Sequence, residues 1–165
     1  MTDGDATFAA IAHEVKTPLA VVRGFAELVA YREDEETRRE AAPALLEAAE
    51  SLSSTINDLL LAFEIDSGAV EGYRGRVDLA ALLPANGPRP TVAGDAALLR
   101  RALDVVSAGR EDVTASVEDG MATIRAGAAK RSPLELYLAR RIAELHGGGL
   151  TETPQGVCLT LPVVA

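Results

Sequence analysis

The chain has no tryptophan and only three tyrosines and three phenylalanines in 165 residues. Its core must therefore be built from Ala, Leu, Val and Ile, side chains that suit closely packed helices. A single cysteine, Cys158, excludes an internal disulfide framework and any zinc site made of cysteines. Two histidines, His13 and His146, are too few for an all-histidine metal site. Basic residues are also scarce: 16 Lys and Arg stand against 25 Asp and Glu, a formal net charge of -9. That balance excludes nucleic acid and anionic membrane as expected partners, because both are held by basic patches. No run approaches the roughly 20 apolar residues that span a bilayer. The opening MTDGDATFAA carries acids where a secretory leader has a basic and then an apolar segment. These absences suggest a cytoplasmic chain without a cysteine- or histidine-built metal site, and leave room for a protein partner with a complementary surface.

What is present begins with two long amphipathic helices. Phe8, Ile11, Ala12, Val15, Leu19, Val22, Ala26 and Val29 recur in steps of three and four, the spacing of one buried stripe. The charged stretch Arg32 to Glu36 breaks that pattern, and Ala41, Leu45, Ala48, Leu52, Ile56, Leu59 and Phe63 resume it. A lone helical hairpin cannot cover its own stripe, so pairing of two copies into a four-helix bundle is expected. Packing on the rest of the same chain is the alternative.

Composition changes after Gly68. GAVEGYRGR and LLPANGPRPTVAGD are rich in Gly and Pro and read as linker and loops. Ala96 to Ser107 reads as a helix. Val113–Val117 and Met121–Ala126 read as strands around the turn Glu118-Asp119-Gly120. Pro133 to His146 reads as a helix, with Pro at its start and Gly147 past its end. Val157–Val163 reads as a last strand. The expected organisation is α+β: a hairpin over residues 1–68 and a small α/β sandwich over residues 69–165.

Chemistry concentrates in Ile11-Ala12-His13-Glu14-Val15-Lys16-Thr17-Pro18-Leu19. On a helix, His13 and Thr17 lie one turn apart on one face, with Glu14 beside them. An imidazole with one nitrogen free is a competent nucleophile toward phosphorus near neutral pH. A neighbouring carboxylate can orient its tautomer and take up a proton. Thr17 can position water or the attacked group. Pro18 has no amide to give the Glu14 carbonyl, which predicts a bend beside the histidine. The candidate catalytic residues are thus His13, Glu14 and Thr17. His146 reads as a helix C-cap, and Cys158 as a packed strand residue. Arg100, Arg101, Arg140 and Arg141 read as exposed helix positions. Lys16 and Arg23 are either solvated or placed to meet an acidic partner.

His-Glu-Val-Lys-Thr-Pro-Leu resembles the H-box of the dimerisation and phosphotransfer domain of bacterial sensor histidine kinases. Ile56-Asn57-Asp58-Leu59-Leu60-Leu61 and Ile65-Asp66-Ser67-Gly68 resemble that domain's second helix and its exit. Val77-Asp78-Leu79, Gly94 to Asp104 and Leu138 to Gly148 resemble landmarks of the kinase's ATPase domain, in the same order. The resemblance implies a homodimer whose partners are response-regulator receiver domains.

The departures from the family pattern fall in its nucleotide pocket. The family holds magnesium through an asparagine-rich helix, where this chain has Leu103-Asp104-Val105-Val106-Ser107-Ala108. An Asp-x-Gly-x-Gly turn that reads adenine is replaced by Ile124-Arg125-Ala126-Gly127-Ala128-Ala129. A second glycine-rich turn, which cradles phosphate with backbone amides, is replaced by Ser132-Pro133-Leu134-Glu135-Leu136. The segment that forms the ATP lid is almost absent. A degenerate ATPase-like sandwich without ATP is therefore expected, leaving His13 to relay phosphoryl groups between response-regulator aspartates. Any Mg2+ is then expected on the receiver. Two other outcomes fit the same fold: a phosphatase using Thr17 to orient water, and a non-enzymatic pseudokinase that only binds.

Overall fold

The computed structural model describes residues 3–31, 34–70, 75–82, 86–110 and 112–164, with side chains described from residue 9 onward except that of residue 38. Two compact units divide the chain, Met1–Leu60 and Leu61–Ala165.

The first unit is built from helix α1 (Asp3–Tyr31) and most of α2 (Glu35–Asp66). Asp34 starts α2: its carboxylate accepts from the amides of Glu36 (3.3 Å) and Thr37 (3.1 Å), two donors that a helix start leaves unpaired. Arg32 and Glu33 of the expected turn lie outside the described residues, as does the side chain of Phe8. The stripe is buried only in part. Ile11, Ala41 and Ala48 are buried. On α2, Ile56, Leu59, Leu60 and Phe63 form an exposed apolar run at helical spacing, with Leu60 55% and Phe63 69% exposed.

The second unit has a two-stranded antiparallel sheet, β1 (Gly75–Asp78) with β2 (Thr91–Gly94), joined through the single turn α3 (Leu79–Leu82). Next come helix α4 (Ala96–Ser107), strands β3 (Thr114–Glu118) and β4 (Met121–Gly127), and helix α5 (Pro133–Leu145). Strands β5 (Gly149–Thr153) and β6 (Gly156–Pro162) follow. The larger sheet is antiparallel in the order β3-β4-β6-β5. Alternation along its strands turns Ala122, Ile124, Ala126, Val157, Leu159 and Leu161 inward, onto Leu99, Leu103, Leu138 and Ile142 of the two helices. Each large side chain buried there stabilises by about 1.5–3 kcal/mol. The β3–β4 turn places Asp119 (φ 50°) and Gly120 (φ 76°) in the left-handed region, the backbone that a two-residue hairpin turn needs.

Several expectations change. The stretch read as linker and loops contains β1, α3 and β2, elements too short for a periodic signal to stand out among Gly and Pro. Strand β5 was likewise hidden, because only Leu150 in it is buried. Cys158 is not core: it lies half-buried on the outer face, in register with Arg125 and Thr151, while Val157 and Leu159 take the inward positions. Arg100 is exposed, as expected, and donates to the Ala81 carbonyl at 3.3 Å, whereas Arg101, Arg140 and Arg141 are half-buried. Arg140 pairs with Glu152 at 2.8 Å, and Arg141 pairs with Asp66 and Glu144.

His146 caps α5 and does more. Its Nδ1 lies 2.7 Å from the Ile142 carbonyl, and its Nε2 accepts from the Asp95 amide at 3.1 Å. An amide can only donate, so Nε2 is the acceptor and Nδ1 carries the proton. Asp95 is the N-cap of α4, accepting from Ala97 and Leu98, so one buried imidazole joins the end of one helix to the start of another. A Cβ at Gly94 would fall 2.4 Å from His146 Cδ2, which explains glycine there.

The last turns of α2 belong to the second unit. Ala62 and Ile65 enter its core, and Asp66 accepts from the Tyr137 hydroxyl at 2.6 Å. That hydrogen bond, aided by burial and the Asp66 charge, holds the Tyr137 phenol above its ordinary pKa.

Two measurements check this packing. His146→Ala strands the Asp95 amide and is expected to cost about 1–3 kcal/mol, read as a lower urea midpoint for the second unit. Asp66→Asn is expected to lower the pH at which Tyr137 ionises in an ultraviolet titration, with Tyr137→Phe identifying the signal.

Candidate functional site: a histidine on an exposed helix face

His13 lies on α1, two positions past the buried Ile11, which turns it away from that residue's face. It is exposed, as are Lys16 and Thr17, while Glu14 is half-buried. The three sequence-predicted residues thus share one stretch of helix, with the imidazole open to an approaching partner. The Thr17 hydroxyl donates to the His13 carbonyl at 3.0 Å, an i−4 back-bond that sequence inspection did not anticipate. Thr17 is therefore held against the turn that carries His13. Helix α1 runs on through Pro18, whose missing amide cannot serve the Glu14 carbonyl. Downstream, Arg23 pairs with Glu27 at 2.8 Å on the surface, so its charge is already partnered.

Residues 5–68 match the His Kinase A (phospho-acceptor) domain. That match takes in 64 of the 165 residues, and over them the chain is similar to the phospho-acceptor domain of histidine kinases. The matched stretch comprises nearly all of α1 and α2, and His13, Glu14 and Thr17 fall within it. The fold is similar to that of solved structures. The Acinetobacter baumannii histidine kinase AdeS superposes with a TM-score of 0.70 at 14% identity, over 93% of this chain and 98% of that one. Full-length ShkA, solved in complex with AMPPNP, superposes with a TM-score of 0.57 at 22% identity, over 95% of this chain. This chain spans 46% of the ShkA chain. No curated protein sequence matches it.

Of the three segments that differ from the family's nucleotide motifs, two are joined by one side chain that sequence reading passed over, and the third follows it directly in the chain. Arg131 donates through Nε to the Val105 carbonyl at 2.9 Å and through an Nη to that of Val106, both on the last turn of α4. It reaches the Gly127 carbonyl at 3.3 Å and that of Ala129 at 3.4 Å, at and just past the end of β4. Ser132, next in the chain, caps α5: its hydroxyl accepts from the Glu135 amide (3.1 Å), and the Glu135 carboxylate accepts from the Ser132 amide (3.3 Å). Burial and the charge of Arg110 lower the pKa of the Arg131 guanidinium, which nonetheless stays cationic. Among the described residues, no three His, Cys, Asp or Glu side chains gather as a metal site requires. None of the helices described is long and apolar enough to cross a membrane.

Because His13 and Thr17 are exposed and outside the core, His13→Ala and Thr17→Ala are expected to leave thermal unfolding within about 0.5 kcal/mol of wild type. Circular dichroism checks this, and separates chemistry from folding in the assays below.

Proposed function

We propose that this chain is a histidine phosphotransferase that works without ATP. His13 takes a phosphoryl group from the aspartyl phosphate of one response-regulator receiver and yields it to the aspartate of another. In the first half, an imidazole nitrogen attacks phosphorus and the phosphorus–oxygen bond to the aspartyl carboxylate breaks. The carboxylate leaves as an anion, and the imidazole's remaining N–H proton passes to Glu14 or to water. In the second half, the receiver carboxylate attacks phosphorus, the nitrogen–phosphorus bond breaks, and the imidazole regains a proton from Glu14 or water as it leaves. Positioning is most of what such a transfer asks of a protein, and an exposed imidazole on a long helix supplies it. The Mg2+ such transfers use is assigned to the receiver.

The observation that favours a relay over a kinase is the start of α5, where the amides of Ser132 and Glu135 are taken by the capping box and Pro133 contributes none to a phosphate. These residues do not suit a triphosphate. Homodimerisation is part of the proposal: phospho-acceptor domains of this family are dimeric and interact with response regulators. The exposed run Ile56, Leu59, Leu60 and Phe63 on α2 is an apolar surface of the kind a second copy buries.

Receivers carrying labelled aspartyl phosphate are expected to pass acid-labile label to the wild-type chain and none to His13→Ala. Release of the label as free phosphate, lost in Thr17→Ala, would instead identify a phosphatase. Unchanged receivers across a panel, bound by wild type and His13→Ala alike, would identify a binding-only pseudokinase.

A further inference from the structure

We infer that Lys16 is a phosphoryl-binding residue, whose ammonium holds the phosphoryl group while His13 carries it. The inference rests on the phospho-acceptor role proposed above for His13 and names the cation of that same site. A phosphoryl group brings three acceptor oxygens and about two negative charges, here onto a chain whose formal net charge is already -9. Donors for those oxygens are scarce on α1. His13 lies well inside the helix, so the amides around it are spent on the helix's own carbonyls. The carboxylate of Glu14 offers acceptors, not donors. The Thr17 hydroxyl has one proton, and it goes to the His13 carbonyl at 3.0 Å. Arg23 is already paired with Glu27.

Lys16 is the side chain on that stretch with donors to spare. Three positions on from His13, it lies about 60° round the helix and about 4.5 Å along it, so the two share one side of α1. Both are exposed. Among the described residues none forms an ion pair or hydrogen bond with Lys16. Glu14 is the single acid between Thr7 and Ala26, and its spacing of two from Lys16 keeps those side chains from facing each other. The ammonium is thus left with nothing to neutralise it beside an imidazole that is to gain negative charge. Its three donors sit on a flexible four-carbon stem, which lets them follow the group as it arrives and leaves. A cation placed where charge develops also favours the transfer itself.

The test uses the full chain and phosphoramidate, a small donor that needs no receiver. An imidazole nitrogen attacks phosphorus, the donor's phosphorus–nitrogen bond breaks, and ammonia leaves while the imidazole's N–H proton passes to water. Labelling of His13 is followed by phosphorus NMR in wild type, Lys16→Gln, Lys16→Arg and, as a control on the paired cation, Arg23→Gln. Lys16→Gln is expected to slow labelling about five- to tenfold. It is also expected to raise the pH at which the phosphohistidine signal titrates, because the lost ammonium favoured the more negative form. Lys16→Arg is expected to recover most of both changes, and Arg23→Gln to alter neither. Wild-type rate and titration in Lys16→Gln overturn the inference. So does slowing that Lys16→Arg shares in full while the titration stays put, since that marks a structural role. A wild-type chain that phosphoramidate leaves unlabelled at His13 overturns it as well. Labelling that depends on Lys16 but passes to and from no receiver supports the inference and overturns the relay reading instead, so the two failures are distinguishable.

Discussion

A helix with one apolar side has to be covered on that side and is free on the other, and this asymmetry organises the first unit. Ile11, Ala41 and Ala48 mark the buried side, and His13 lies round the helix from Ile11. The histidine needs no lid, channel or loop movement to become available. What shares its turn is Glu14 beside it and Thr17, whose hydroxyl is fastened to its carbonyl. The apolar run toward the end of α2 is the same asymmetry left incomplete within one chain, and it argues for a second copy.

The second unit obeys a different constraint. A sheet with two helices on one face exposes four helix ends, each with unpaired main-chain groups. Asp95 serves the start of α4, Arg131 its end, Ser132 with Glu135 the start of α5, and His146 the end of α5. Among the described residues no buried side-chain donor or acceptor lacks a partner. Side chains of the unit itself thus serve all four ends.

Long periodic elements were legible in the sequence, and short ones were not. The spacing of Ile11 to Val29 and of Ala41 to Phe63 marked both helices, and Asp119-Gly120 marked a hairpin that the backbone forms. Strands β1, β2 and β5 were not legible, since four or five residues beside Gly and Pro carry too little alternation to register. Cys158 sits in an apolar strand but not in the core, because Val157, Leu159 and Leu161 take the inward face by strict alternation. The site at His13 was legible as a motif. Its Thr17 back-bond was not, because a hydroxyl can donate either outward or to the preceding turn. Arg131 was invisible for a simpler reason: a single arginine before Ser-Pro resembles any surface charge until α4, β4 and α5 are brought together around it.

The source of the phosphoryl group on His13 is the point on which relay and kinase part. The most direct measurement offers the wild-type chain two labelled donors side by side, Mg2+ with γ-labelled ATP and a receiver labelled on its aspartate, and locates the label by peptide mapping. Label on His13 from the receiver and none from ATP is the predicted result. Label on His13 from ATP alone would contradict it, and would make the chain a kinase whose nucleotide site survives the changes around Arg131.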